Sequence, residues 1–216
     1  MRQFDFYEFA GVVVPGTLAL FGVAVVLPSV REVVFDQDMT LGDAAVSVIL
    51  AYGAGHLIQG LGNAIELLLW VACGGWPSDW PRSGRRHLLS SEQISLIEQR
   101  LLKALPNGIR ALNQKDWRSI VRQIYASVSS AGCTHRVDVF NGNYGLNRGM
   151  AAALLTIAVV ACVLQGREAM GSVVLLVAGA VVAVYRMHRF GVHYARELFV
   201  QFMSIPKDHK ESDQDG

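Results

Sequence analysis

Residues 44–66 limit what this chain can fold into more than any other stretch of the sequence. Crossing a bilayer takes about 20 mostly apolar residues, and this stretch is long enough. It nevertheless contains four polar side chains at intervals of three, four and three residues: His56, Gln59, Asn63 and Glu66. In a helix with about 3.6 residues per turn these side chains share one face, which we call the polar seam. Because polar groups inside a membrane usually face protein or water, the stretch predicts a membrane protein with a buried polar seam.

Composition and charge support this interpretation. Of the 216 residues, 52% are hydrophobic and 17% are charged, whereas a soluble domain is usually about 25% charged. The formal net charge of +1 predicts no nucleic-acid partner. The three cysteines, Cys73, Cys133 and Cys162, have no paired spacing, which argues against a disulfide framework and a zinc site. We expect no metal and no cofactor.

We predict an all-α integral membrane protein with four transmembrane helices and a cytoplasmic helical insert between the second and third. The spans are expected at about residues 9–29, 43–66 with a continuation towards 74, 149–165, and 169–185. The chain then divides into an N-terminal transmembrane hairpin at 1–74, a cytoplasmic helical module at 75–148, a C-terminal transmembrane hairpin with a cytoplasmic helical extension at 149–203, and a disordered tail at 204–216.

Several residues mark the ends and bends of the first two spans. Pro15 should kink the first helix, and a neighbouring helix can satisfy the carbonyl that this proline leaves without a donor. Pro28 marks the end of that helix, and Asp43 is the expected N-cap of the next. The N-terminus lacks the basic segment of a signal peptide, so the first span is expected to be retained. Trp70, Trp76 and Trp80 predict an aromatic belt at the membrane interface.

The polar middle predicts three helices. Ser90 or Ser91 can cap the first, which runs to about Leu105, and the second is expected at 115–130. The third begins near His135 and could continue into the third span. Sixteen of the nineteen Lys and Arg residues lie in this middle region and in the segment after the fourth span. By the positive-inside rule, this predicts that both termini and the module are cytoplasmic in a bacterial inner membrane.

The polar seam allows three interpretations. It can be a structural network that fixes the register of the helices, with Glu66 paired to an arginine at the cytoplasmic ends of the spans. It can instead line a path for ions, protons or water in an oligomer, since four spans enclose little space alone. An acid–base role is the weakest, because His56 and Glu66 are ten residues apart, about 15 Å along one helix. The chain also lacks the H-E-x-x-H and G-x-S-x-G motifs, so we predict no enzyme.

Basic side chains are the expected partners of the seam at the cytoplasmic face. Arg148 opens the third span, and four more basic residues continue the fourth helix at intervals of three, four and three: Arg186, Arg189, His193 and Arg196. This stripe can anchor the helix to anionic lipid headgroups, pair with acidic residues of the middle region, or bind a phosphate-bearing ligand such as a nucleotide.

Three motifs, GHLIQGLGNAIE, VDVFNGNYGLNRGMAAALL and RFGVHYARELF, make the chain resemble small uncharacterised bacterial membrane proteins with four spans. Several of those resemble membrane components encoded beside phage-defence or nucleotide-signalling genes. The resemblance implies a membrane effector or anchor. We therefore expect a non-enzymatic oligomeric membrane effector or channel-like component, gated through its cytoplasmic module by a protein or nucleotide signal. The alternative is a membrane anchor or scaffold for a soluble partner, and an intramembrane hydrolase ranks below both.

Overall fold

The structure is a computed structural model that describes residues 6–27, 30, 40–101 and 108–206. Three features expected from the sequence lie outside these residues: Pro28, the end of the first middle helix near Leu105, and the last ten residues of the tail. The described residues are helical and contain no strand, so the prediction of an all-α protein is confirmed.

Seven α-helices are numbered here in chain order within the described residues. They are α1 Phe6–Val26, α2 Leu41–Ala72, α3 Trp80–Ser83, α4 Ser91–Arg100, α5 Gln114–Ser130, α6 His135–Gln165 and α7 Met170–Ser204. Short 3₁₀ turns occur at Pro77–Asp79, Ile109–Ala111 and Gly166–Ala169. Helix α6 is continuous from His135 into the apolar run, and α7 continues well beyond its own apolar run.

Capping boxes begin two of the helices. At α2 the N-cap is Thr40, and Asp43 occupies the third helical position. The Asp43 N–H donates to Thr40 Oγ1 at 3.3 Å, and the Thr40 N–H donates to Asp43 Oδ2 at 2.9 Å. The prediction of Asp43 as the N-cap was wrong because its carboxylate completes the box from inside the helix. Ser90 and Gln93 form the same arrangement at α4.

The chain forms two compact units. The first unit comprises Met1–Cys73 and Val139–Gly191, and the second comprises Gly74–Asp138 and Val192–Gly216.

Within the first unit, α1 and α2 cross with their backbones in close approach. A Cβ atom on Gly16 would lie 1.9 Å from the Ala51 carbonyl oxygen, and one on Gly55 would lie 2.1 Å from the Val12 carbonyl oxygen. Only glycine fits at both positions, which is the close packing that small residues allow between helices. Helix α1 continues through Pro15 instead of ending there.

The outside of the first unit is strongly apolar. Among the described residues, 25 large hydrophobic side chains are exposed; 23 of them belong to the first unit, and Leu96 and Tyr125 belong to the second. Two helical stretches are long and apolar enough to cross a bilayer, Gly42–Ser83 and His135–Ser204, and Ala10–Val26 is a shorter apolar helix. The second of these stretches contains both α6 and α7.

The second unit has a conventional core. The fully buried Trp117 of α5 stacks on Phe199 of α7 with ring centroids 6.0 Å apart, and its Nε1 donates to the Ser78 carbonyl at 2.8 Å. Arg100 Nη1 donates to the carbonyls of Phe202 and Ile205, at 3.2 and 2.7 Å. These bonds satisfy carbonyls that the end of α7 leaves without helical partners.

Candidate functional site: a buried polar network

Gln59 lies at the centre of the first unit and uses its whole side-chain amide. Its Nε2 donates to the Gly11 carbonyl of α1 at 2.6 Å and to the Gly145 carbonyl of α6 at 3.1 Å. The Gly11 carbonyl is the one that Pro15 deprives of a donor, since helical N–H groups bond four residues back and proline has none. The Gln59 side chain therefore replaces the hydrogen bond that Pro15 removes from α1.

Two glycines make room for this arrangement. A Cβ atom on Gly149 would lie 2.6 Å from Pro15 Cγ and 2.8 Å from Gln59 Nε2. A Cβ atom on Gly62 would lie 2.9 Å from Arg148 Cγ. Side chains at these positions would separate α6 from its neighbours, so the glycines determine how closely the polar groups can meet.

Glu66 and Arg148 form an ion pair on the same side of α2. Arg148 Nη1 donates to Glu66 Oε2 at 2.6 Å, and Arg148 Nε donates to the Gln59 Oε1 at 2.9 Å. The second carboxylate oxygen of Glu66 accepts from the Tyr144 hydroxyl, one helical turn before Arg148. Both carboxylate oxygens thus have a donor, which is what a buried charge requires.

An aromatic group extends the network to α7. Trp70 Nε1 donates to the Tyr144 hydroxyl at 2.8 Å, and the Trp70 and His188 rings lie 5.4 Å apart. A Cβ atom on Gly191 would lie 2.7 Å from Trp70 Cζ2, so this glycine admits the indole ring. Trp70 was expected in an interfacial belt facing the headgroups, but it is 1% exposed, so its ring packs inside the first unit instead. Trp80 is also buried, within the second unit.

We call this set the buried network: Gln59, Glu66, Trp70, Tyr144, Arg148 and His188. It joins α1, α2, α6 and α7 through hydrogen bonds and ring contacts. The Glu66 carboxylate and the Gln59 amide are fully engaged inside the protein. Such an arrangement fixes the register of helices, and it presents neither group as a free base to a substrate.

The two remaining residues of the polar seam lie on the surface of the first unit. His56 and Asn63 are exposed, whereas Glu66 is buried and Gln59 is half-buried. Residues three apart in a helix differ by about 60° in direction, so the seam is wide enough to straddle the edge of the buried face. The prediction of one buried seam was therefore wrong for His56 and Asn63. The His56 ring makes an edge-to-face contact with Tyr52, at 4.6 Å between centroids.

The five basic residues expected to pair with the seam have different surroundings in the structure. Of the expected partners, Arg148 is the one that the structure brings to Glu66. Arg186 is exposed and lies over the Phe190 ring at 5.4 Å, Arg189 is exposed, and His193 is half-buried. Arg196 Nε donates to the Leu88 carbonyl at 3.4 Å in the second unit.

Sequence reasoning missed Tyr144 and misplaced Trp70. One signal was present: Tyr144 and Arg148 are four residues apart, and so are Glu66 and Trp70, which places two facing pairs on adjacent helices. Across the described part of the chain, no three His, Cys, Asp or Glu side chains lie close enough to hold a metal ion.

Comparison of the chain with protein-family models, with curated proteins and with solved structures finds no match. The resemblance to membrane proteins encoded beside phage-defence genes stays a prediction.

Proposed function

We propose that this chain is a non-enzymatic integral membrane protein that anchors its second unit, and a soluble partner bound there, at the cytoplasmic face of a bacterial inner membrane. The first unit would cross the bilayer four times, with α1, α2, α6 and α7. These helices have 21, 32, 31 and 35 residues. At about 1.5 Å per residue each is at least as long as a hydrocarbon core of about 30 Å.

The apolar exterior of the first unit supports the membrane part of the proposal. A soluble protein rarely exposes apolar patches beyond a few hundred Å². Here nearly all the large exposed hydrophobic side chains lie on this one unit, which is the surface that lipid would cover. The distribution of basic residues supports a cytoplasmic second unit, since the short connection between α6 and α7 contains a single basic residue, Arg167.

The observation that carries the anchor function is the closure of the buried network. A pore or a catalytic site needs polar groups that remain available to an ion, water or substrate. In this chain Glu66 and Gln59, the polar groups expected to serve such a path, satisfy their hydrogen bonds within one molecule. The network therefore favours a rigid transmembrane scaffold.

The second candidate function is an oligomeric membrane effector gated through the second unit. One observation favours it: His56 and Asn63 are exposed on α2, where several copies could turn them towards a shared path. The resemblance to proteins encoded near defence genes belongs with this candidate. A nucleotide or protein signal would then act on the second unit.

Topology reporters test the membrane part of the proposal. Fusions after Glu32 and Arg167 should report the periplasm, and fusions after Asn113 and Gln201 should report the cytoplasm. A result that places Glu32 and Gln201 on the same side would overturn the four-span arrangement.

Membrane potential separates the two functions. We expect cells that express the wild-type chain to keep their potential, with or without its genomic neighbours. Depolarisation that His56→Ala or Asn63→Ala abolishes, at matched membrane levels, would refute the anchor and establish the effector. Glu66→Gln is the internal comparison, because Glu66 lies inside the protein and should affect stability only.

A further inference from the structure

We propose that one face of α2 is the contact for a second copy of this chain, in a parallel dimer within the membrane. This inference rests on the proposed membrane function. The face, which we call the heptad face, consists of six exposed residues at intervals of four, three, four, three and four: Ile49, Gly53, His56, Gly60, Asn63 and Leu67.

The spacing of the heptad face is that of a helix–helix contact. Residues that alternate at three and four positions follow a line of about 3.5 residues per turn, which keeps one seam in contact along a left-handed helix pair. A surface that met only lipid would need no such line. Gly53 and Gly60 alternate with the larger residues, and a Cβ atom at either would meet nothing within 4 Å. The helix backbone is therefore open to close approach at two points on this line.

Two polar side chains indicate that protein, and not lipid, covers the face. His56 and Asn63 lie seven residues apart at the middle of the line, within the apolar helix. Lipid tails cannot hydrogen-bond to an imidazole or an amide, so polar groups within a membrane almost always face protein or water. On the same helix, Gln59 and Glu66 of the buried network each have hydrogen-bond partners inside the molecule.

The chemistry of the face matches a second copy of itself. All copies insert in one orientation, so two α2 helices would run parallel and a twofold axis would bring each residue to its own equivalent. An amide is both donor and acceptor, and a neutral imidazole is both as well, so each can pair with its own copy. The face carries no Asp, Glu, Lys or Arg side chain that would repel its equivalent. In this dimer His56 and Asn63 each face their own equivalent in the second copy, and neither lines a pore.

Disulfide trapping tests the proposal with controls matched for depth. In full-length protein without Cys73, Cys133 and Cys162, single cysteines are placed by Ile49→Cys and Leu67→Cys on the heptad face. Leu50→Cys and Leu68→Cys are the controls, each one residue further along and also exposed, but turned by about 100°. Membranes are then treated with a mild oxidant.

We expect Ile49→Cys and Leu67→Cys to form a product of twice the 23.6 kDa chain at least fivefold more efficiently than their controls. Equal cross-linking of the heptad-face variants and their controls would overturn the proposal. Cross-linked products of another mass would also overturn it, because they would show a different partner.

A second measurement follows the dimer fraction by energy transfer between labelled copies in vesicles. Asn63→Leu removes the interhelical amide pair and should lower the association constant about tenfold. Gly60→Leu fills the point of close approach and should lower it further. Leu61→Ala, on the adjacent exposed surface, should leave it unchanged. An unchanged association constant in Asn63→Leu and Gly60→Leu would refute the interface.

Extraction of the membranes with alkaline carbonate separates the two proposals. A chain that resists extraction but stays monomeric would refute the dimer and leave the anchor intact. A chain that is released would refute the membrane function itself.

Discussion

Removing Arg148 alone from the Glu66–Arg148 ion pair should destabilise the protein more than removing both partners. The substitutions are Glu66→Leu, Arg148→Met and the double variant, with Arg189→Met as the control. Glu66 and Arg148 share a 2.6 Å hydrogen bond, and their side chains are 8% and 23% exposed. Arg189 is an exposed cation on α7.

The size of the effect follows from burial. Breaking a buried ion pair by removing one partner costs about 3–5 kcal/mol, because the remaining charge is left without compensation. We expect Arg148→Met near the upper end, since it leaves the Glu66 carboxylate, which is 8% exposed, without its cation. Glu66→Leu should cost about 3 kcal/mol, because the guanidinium that it leaves is 23% exposed and partly solvated, although the Tyr144 hydroxyl also loses its acceptor. The double variant should lose about 1–3 kcal/mol, less than the larger single loss, since two apolar side chains can replace a buried pair.

The measurement is the free energy of unfolding in mixed micelles, followed by tryptophan fluorescence during titration with a denaturing detergent. The coupling energy is the double-variant loss minus the sum of the single losses. Arg189→Met should change stability by less than about 0.5 kcal/mol. Single losses below about 1 kcal/mol that add in the double variant would contradict the ion pair as described.

Three further predictions concern the packing around this pair and the second unit. Gly149→Ala should lower the free energy of unfolding by about 1–3 kcal/mol, because its Cβ would overlap Pro15. Gly171→Ala, in open space, is the control and should change it by less than about 0.5 kcal/mol. The same detergent titration compares the two variants, and equal effects would contradict the close packing at Gly149. Gln59→Leu should lower the free energy of unfolding by about 1–3 kcal/mol. Pro15→Ala should cost less in that background than in wild type, because the N–H restored at position 15 can donate to the Gly11 carbonyl that Gln59 no longer contacts. Additive losses in a double-mutant cycle would disprove this link. Trp117→Ala should destabilise the second unit by about 3–5 kcal/mol, and proteolysis of inserted protein should then cleave within residues 74–138 while the first unit stays protected; uniform protection would rule out this core role.

Much of the architecture could be predicted from local patterns. Apolar runs, glycine and proline positions and capping residues indicated an all-helical chain, and α5 and α6 begin close to where the sequence placed them. The need for a neighbour at Pro15 could also be anticipated, because the missing N–H is a covalent property of proline. The identity of that neighbour as Gln59 could not, since it depends on how α1 and α2 cross at Gly16 and Gly55.

The polar seam shows why the candidate site was only partly predictable. Helical periodicity predicts the direction of each of the four side chains only to within about the rotation between successive residues. At the edge of a buried face, a rotation of that size separates a buried side chain from an exposed one. Glu66 had several possible arginine partners at similar depth, and nothing local distinguished them. The structure selects Arg148 because Gly62 lets its side chain lie against α2.

Hydrophobicity and helical period are local properties, so the amino-acid sequence predicts long apolar helices with polar groups at intervals of three and four residues. Which of those polar groups find hydrogen-bond partners depends on tertiary packing. Gln59 and Glu66 turn towards α6 and find donors and acceptors there, whereas His56 and Asn63, about 60° away on the same helix, remain on the surface. That difference depends on the rotation of one helix against its neighbours, and it divides the polar seam into a part with partners inside the chain and a part on its surface.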